Sequence, residues 1–197
     1  MSDTRVDAGK RRFLLLATGA AGGVAAAGVV LPFVGSMLPS AKAKAAGAPV
    51  EVDVSKLEPG AQLTVEWRGK PVWVVRRTPE MIAQLDKLGD KLSDPGSDAP
   101  QQPDYCKNKT RSLKPEYLVV VGVCTHLGCS PTFRADAGAA DMGGDWPGGY
   151  YCPCHGSRFD LAGRVFKNVP APVNLVVPPH QFVSDTVLLV GADGKEA

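Results

Sequence analysis

The residues that could do chemistry sit in two short segments, Cys124-Thr125-His126-Leu127-Gly128-Cys129 and Cys152-Pro153-Cys154-His155-Gly156-Ser157. They hold four of the five cysteines and two of the three histidines, with 22 residues between them. Scattered core cysteines do not gather in this way, so metal or redox chemistry is the better reading. Thiolates and imidazoles together suit zinc or an iron–sulfur centre. The usual zinc pattern puts a pair of histidines after a pair of cysteines, whereas each segment here carries one histidine. Pairing Cys-x-His in the first segment with Cys-x-x-His in the second leaves one cysteine over in each, which a zinc site does not require. Spacing alone does not tell Cys152 from Cys154 as the donor, and a purely structural zinc module stands as an alternative.

Several elements must hold these segments. Tyr117 to Val123 is a continuous apolar run, the pattern of a buried strand, and it leads directly into the first segment. Val50 to Val54 alternates apolar and polar. Gln62 to Trp67 and Pro71 to Arg76 flank Arg68-Gly69-Lys70 as a hairpin. Thr78-Pro79-Glu80 supplies an N-cap, a first-position proline and a first-turn acid for a helix whose apolar face is Met81, Ile82, Leu85 and Leu88. Val173 to Val177 and Thr186 to Val190 are strand-like. With 17 prolines and 22 glycines, the composition favours turns and short strands, so a mainly β, antiparallel domain is expected.

Between these elements, Lys91 to Leu113 is polar, contains three prolines and is expected to be a surface excursion with a function or a docking partner. The acids and glycines from Asp136 to Asp145 suggest a flexible insertion without EF-hand spacing. Trp67, Trp73 and Trp146 are expected in the core or an interface. Cys106 is expected as a free, partly buried thiol, with an intermolecular disulfide as the alternative. His180, after Pro178-Pro179, is expected at the surface with no metal role. The net charge of +2 gives no reason to expect nucleic acid.

Lys10-Arg11-Arg12 precedes a charge-free run from Phe13 to Leu38, 26 residues long. About 20 residues suffice for a helix to span a bilayer. Basic residues before the run place the N-terminus in the cytoplasm and send the rest across. Lys10-Arg11-Arg12-Phe13-Leu14 resembles a twin-arginine export signal, with either Arg11-Arg12 or Lys10-Arg11 as the pair. A cleaved secretory signal is the alternative, since Ala41-Lys42-Ala43 and Ala43-Lys44-Ala45 are small-x-small sites, although the run exceeds the usual signal core of about 7–15 residues. Pro39 to Pro49 lacks large apolar residues and is expected to be a hinge or an extension of the helix.

At residue level the two segments resemble the paired boxes of Rieske iron–sulfur proteins, in particular those of proteobacterial ubiquinol–cytochrome c reductases, the cytochrome bc1 complexes. Val169-Pro170-Ala171-Pro172-Val173-Asn174-Leu175 is similar to the family's proline loop, with Val169 where glycine is usual. The resemblance covers essentially the whole chain. It implies one [2Fe–2S] cluster held by Cys124, His126, Cys152 and His155, and a disulfide between Cys129 and Cys154. It implies that Leu127 shields the cluster, that Ser157 donates to a bridging sulfide and that His155 contacts quinol as the catalytic ligand. Oxygenase-type Rieske domains lack the disulfide pair.

The implied organisation is a cytoplasmic N-terminus with the export signal (1–12), a single-pass anchor in the bacterial inner membrane (13–38), a hinge (39–49) and a periplasmic antiparallel β domain (50–197). A small cluster-binding subdomain occupies about 122–173. The implied partners are cytochrome b, cytochrome c1 and quinol, in a dimeric, proton-translocating complex that oxidises quinol one electron at a time. A small Rieske subunit of a periplasmic molybdenum oxidase is the second reading, which the long excursion and retained anchor fit less well.

Charge explains the ligand choice. An oxidised [2Fe–2S] core is formally +2, so two thiolates and two neutral imidazoles leave the centre neutral, where four thiolates would make it a dianion. Rieske potentials of about −150 to +300 mV, against about −400 mV for plant-type clusters, are established properties of those classes. An added electron makes the centre negative and favours a protonated ring, which couples electron and proton uptake. Many family members carry a tyrosine whose hydroxyl donates to a ligand sulfur where this chain has Phe159. Redox titration is expected to give a lower midpoint for this chain than for Phe159→Tyr; equal or inverted midpoints refute the idea.

Overall fold

The computed structural model describes residues 7–194, and the chain divides into one unit ending at Ala45 and another beginning at Ala46. The first six residues of the expected 1–12 segment and the last three of 50–197 lie outside the described residues.

In the first unit, α1 (Ala8–Ser36) starts inside the basic triplet's turn, earlier than the apolar run suggests. The cause is Asp7, whose carboxylate accepts from the backbone N–H groups of Gly9 (2.9 Å) and Lys10 (3.2 Å) and so caps the helix. Its 29 residues rise about 44 Å. Phe13 to Leu16, Leu31 and Phe33 are all exposed, so the apolar surface finds no cover within its own helix. By length and composition α1 is a candidate transmembrane helix. Within the expected linker, α2 (Ala41–Ala46) forms one further helical turn, with the Ser40 hydroxyl accepting from Ala43 N–H at 3.1 Å. Its alanine-rich composition favours that outcome.

The second unit contains β1 (Val50–Asp53), β2 (Gln62–Trp67), β3 (Lys70–Arg76), β4 (Tyr117–Val121), β5 (Thr132–Arg134), β6 (Gly149–Tyr151), β7 (Arg158–Phe159), β8 (His180–Phe182) and β9 (Val187–Val190). They form three antiparallel sheets ordered β1-β9-β8, β2-β3-β4 and β5-β6-β7. The sheet β2-β3-β4 is covered on both sides. Trp73, Val75, Leu118 and Val120 pack into one core with Cys124 and Cys152. Val72, Val74, Tyr117, Val119 and Val121 face a second core with Val52, Leu188 and Val190. Burial on both faces is why the β4 sequence is apolar without alternation. Each such valine or leucine contributes about 1.5–3 kcal/mol when fully buried.

The β2–β3 hairpin turns on Arg68 and Gly69, with φ of 52° and 69°. Two consecutive positive φ values make the tight turn that matches strand twist, and Lys70 therefore joins β3. The helix α3 (Pro79–Gln84) begins where expected, Thr78 Oγ1 accepting from Met81 N–H at 3.3 Å. Gly149 is required by contact: a Cβ there would lie 2.0 Å from the Phe159 carbonyl oxygen. All three tryptophans are buried.

One expectation is refined and two are corrected. The stretch from Lys91 to Leu113 lies at the surface as its polarity suggests, but it is pinned to its own domain: Leu92, Ser97, Cys106, Arg111 and Ser112 are buried. Arg111 and Asn174 anchor it, through hydrogen bonds to Leu175 O and Asp94 O respectively. Val173 to Val177 is not a ladder strand. Its backbone bonds go to three separate places, Leu175 N to Gly163 O, Val121 N to Val176 O, and Val177 N to Gln101 O. His180 is not a surface residue: it is 1% exposed. It opens β8 opposite Val190, and its N–H donates to Tyr105 Oη (3.0 Å) while that hydroxyl donates to the His180 carbonyl (3.1 Å).

His180 Nδ1 lies 2.9 Å from the Pro178 carbonyl, which can only accept, so Nδ1 carries the proton. Nε2 is buried without a hydrogen-bond partner. Burial holds the imidazole pKa below its ordinary value, opposed by the bond to Pro178. The stability that neutral His180 confers is therefore complete above the unfolded pKa of about 6.5 and is lost as pH falls through the depressed folded value. Thermal melts across that window are expected to show a smaller loss toward acid in His180→Phe than in the unaltered chain; parallel curves would exclude this group as a cause.

Candidate metal centre

The two segments fold into loops of the same plan. In the first, Cys124 N–H donates to Cys129 O at 2.7 Å and Gly128 N–H to Cys124 O at 3.0 Å. In the second, Cys152 N–H donates to Ser157 O at 2.8 Å and Gly156 N–H to Cys152 O at 2.9 Å. The fifth residue of each loop is a glycine with positive φ, 85° for Gly128 and 76° for Gly156, where a side chain would be strained. Cys124 and Cys152 are therefore equivalent first positions, each hung from a strand end, β4 and β6.

Cys129 and Cys154 are joined by a disulfide, 25 residues apart in sequence. The Cys152 sulfur lies within 4.8 Å of both disulfide sulfurs. That trio has the crowding of a metal site, yet two of its members have no thiolate to offer. The free thiols of the two loops are Cys124 and Cys152, both buried. His126 is half-buried and His155 exposed, with ring centroids 4.7 Å apart and planes at 89°. The two loops thus bring together buried sulfur donors and surface-facing nitrogen donors.

Burial raises the Cys124 thiol pKa, and its Cys152 neighbour pushes the same way. The backbone N–H of His126 and the Ser157 hydroxyl oppose this by hydrogen-bonding the sulfur. The bare Cys124 thiol thus resists ionisation, and a cationic iron centre is what would stabilise its thiolate. Ser157 also accepts from Ala171 N–H at 3.0 Å, and Thr125 Oγ1 donates to Val173 O at 2.6 Å. Each loop is so tied to the proline segment. Leu127 projects beside the histidines, 72% exposed. Phe159, fully buried, shares a core with both free thiols. His155 also lines an open cleft of about 560 Å³ with Arg134, Arg158 and Asn168.

Cys106 is a free, fully buried thiol and no part of this group. The Asp136–Asp145 insertion closes on itself: Gly138 N–H donates to Trp146 O at 2.7 Å, and Arg134 pairs with Asp141. Thr125, Asn174 and the buried arginines behind the loops escaped the sequence reading. Thr125 could have been found from its place inside the first loop, whereas arginines carry no sequence mark of burial.

Two thiols and two imidazoles on paired, disulfide-linked loops form the donor set of a Rieske [2Fe–2S] centre, and the residues present fit that group. The family model described as "Rieske [2Fe-2S] domain" matches residues 48–179, and "Ubiquitinol-cytochrome C reductase Fe-S subunit TAT signal" matches residues 1–40. The "Ubiquinol-cytochrome c reductase iron-sulfur subunit" of Allochromatium vinosum is 64% identical over 197 residues, covering 100% of this chain and 95% of its own length. The protein of the same name from Bradyrhizobium diazoefficiens is 43% identical over 183 residues, covering 92% of this chain and 94% of its own. A solved chain of "Hyperthermophilic respiratory Complex III" is 27% identical with a TM-score of 0.47, covering 88% of this chain and 97% of its own. The chain belongs to the family of ubiquinol–cytochrome c reductase iron–sulfur subunits.

Closing a loop of this length by a disulfide stabilises a fold by about 3 kcal/mol. Cys129→Ser with Cys154→Ser is expected to lower the melting temperature and to speed loss of the cluster's visible absorbance at moderate temperature; unaltered retention would show that the link is dispensable.

Proposed function

We propose that this chain takes one electron from quinol at a site shared with cytochrome b and delivers it to cytochrome c1. Cys124, His126, Cys152 and His155 would hold the cluster. Bound there, the [2Fe–2S] group supplies a one-electron acceptor that is neutral when oxidised.

The observation that carries this reading is the division of the donors, with thiols buried and imidazoles at the surface beside exposed Leu127. Once its outer ring nitrogen has given up its proton, an exposed His155 would accept a hydrogen bond there from a quinol hydroxyl. It then holds the proton that the quinol sheds as it loses an electron. The electron later passes to the cytochrome, and the ring returns the proton to water. Leu127 excludes water on the same side. Ser157 is placed by Ala171 N–H so that its own proton is free to donate to sulfur.

The proposed setting is a dimeric complex in the bacterial inner membrane. The N-terminus is cytoplasmic, residues 13–38 span the membrane, 39–49 form a hinge and the domain from residue 50 onward is periplasmic. The charge-free run behind a basic triplet and the match to an export-signal model support it. A periplasmic location also permits the disulfide.

Detergent purification of the tagged full chain tests the proposal. Co-purifying b- and c-type haem and inhibitor-sensitive quinol oxidation are expected, and a preparation free of haem would refute it. Prolines placed in Ser40–Ala48 should slow turnover while leaving the cluster's EPR spectrum intact, and undiminished turnover would remove the hinge role.

A further inference from the structure

Behind the metal centre lies a buried group of charges that the ligand set does not use. Arg77, Arg111, Arg164 and Asp160 are all buried, three guanidiniums to one carboxylate. That carboxylate is taken by Arg164, whose Nε and one terminal nitrogen lie 2.8 and 2.7 Å from Asp160 Oδ2. Arg77 donates to the carbonyls of Thr110 (2.9 Å), Leu161 (3.1 Å) and Pro115 (2.6 Å) and to Ser112 Oγ (2.8 Å). Arg111 donates to the carbonyls of Ala162 (3.0 Å), Gly163 (3.2 Å) and Leu175 (2.8 Å) and to Gln102 Oε1 (2.9 Å). Among the described residues neither forms an ion pair.

Asp160 acts on both arginines through space, but it is engaged by Arg164 and forms an ion pair with neither. Burial lowers both arginine pKa values to about 10, which leaves them cationic at neutral pH. Cys106, beside Arg111, is pushed up to about 11 by burial and stays a thiol. The Tyr150 hydroxyl, which senses Arg77 and Asp160, is also raised by burial and stays neutral. Asp94 and Asp160 act on Arg111 only at a distance. Arg111 moreover sits at φ 49°, a left-handed conformation that residues with a side chain rarely adopt. Neutral amides could clamp the same carbonyls without the cost of burying charge.

The charges adjoin the metal centre. Arg77 and Arg111 grip the Leu161–Gly163 turn, which follows β7, and β7 pairs with β6. Tyr150 of β6 precedes Cys152 by two residues, and Tyr150 and Leu175 share a core with Cys124 and Cys152. A Rieske centre gains a full negative charge when it takes an electron alone. We propose that Arg77 and Arg111 raise the reduction potential of the cluster, by stabilising that added negative charge through a buried core in which neither forms an ion pair. This deepens the metal-centre assignment and is independent of the quinol chemistry.

The test is an EPR-monitored redox titration at pH 7 on membranes holding the full chain. Arg77→Gln and Arg111→Gln are expected to lower the midpoint, each making reduction about tenfold less favourable, the scale of a unit charge acting over roughly a nanometre of protein. Arg77→Lys and Arg111→Lys, which keep the charge and lose the fork, should titrate near the unaltered chain. Glutamine variants with an unchanged line shape and midpoint would overturn the proposal, as would lysine and glutamine variants shifted equally. If a glutamine variant carries no cluster, Gln102→Glu leaves both arginines in place and gives Arg111 a carboxylate. A midpoint lower in Gln102→Glu than in Gln102→Met supports the proposal, and equal midpoints overturn it.

Discussion

The bond between Cys129 and Cys154 decides what chemistry the two loops have left. It removes two sulfurs from the donor pool and holds the loops face to face, so the remaining thiols, Cys124 and Cys152, lie buried while the two imidazoles remain near the surface. The shared hydrogen-bond plan of the loops gives each free cysteine the same place at the end of a strand. A glycine with positive φ closes each loop, so the repeated Cys-x-x-x-Gly pattern is a backbone requirement as much as a ligand motif.

That arrangement depends on a rigid platform. The sheet β2-β3-β4 is buried on both faces, one toward the free cysteines and the other toward β1, β8 and β9. A strand so enclosed resists displacement, because any shift of register would disturb both cores. β4 hands the chain to the first loop and β6 to the second. The proline segment is tied to both by Thr125 and Ser157. The position of a solvent-facing histidine is thereby fixed by contacts that are themselves dry.

Electrostatics add a second layer. A [2Fe–2S] group held by two thiolates and two neutral imidazoles would be neutral when oxidised, while the protein behind the site buries three guanidiniums and one carboxylate. The stretch from Lys91 to Leu113 supplies Arg111 and two of the oxygens that accept from Arg77, Thr110 O and Ser112 Oγ, so a segment whose polarity suggests a surface loop forms part of the wall behind the site. Its prolines and polar residues serve backbone turns and buried hydrogen bonds.

The sequence by itself determined the chemistry-bearing residues, since clustered Cys and His at short spacing have few uses and the resemblance of the two boxes covers both. It also determined the apolar helix, the β2–β3 hairpin, the helix after Thr78 and the buried run of β4, because each follows from local composition and period. Spacing leaves Cys152 and Cys154 equivalent; the family resemblance implied that Cys129 pairs with Cys154, and the facing of the loops supplies the physical reason. Tertiary structure alone decided that His180 is buried, that Val173 to Val177 bonds to three partners and that Arg77 and Arg111 lie inside. Each of those outcomes depends on residues far away in the chain, such as Tyr105 on His180 or the carbonyls of Ala162 and Leu175 on Arg111. A polar or charged residue is buried where distant partners satisfy it, and no local pattern records where those partners are.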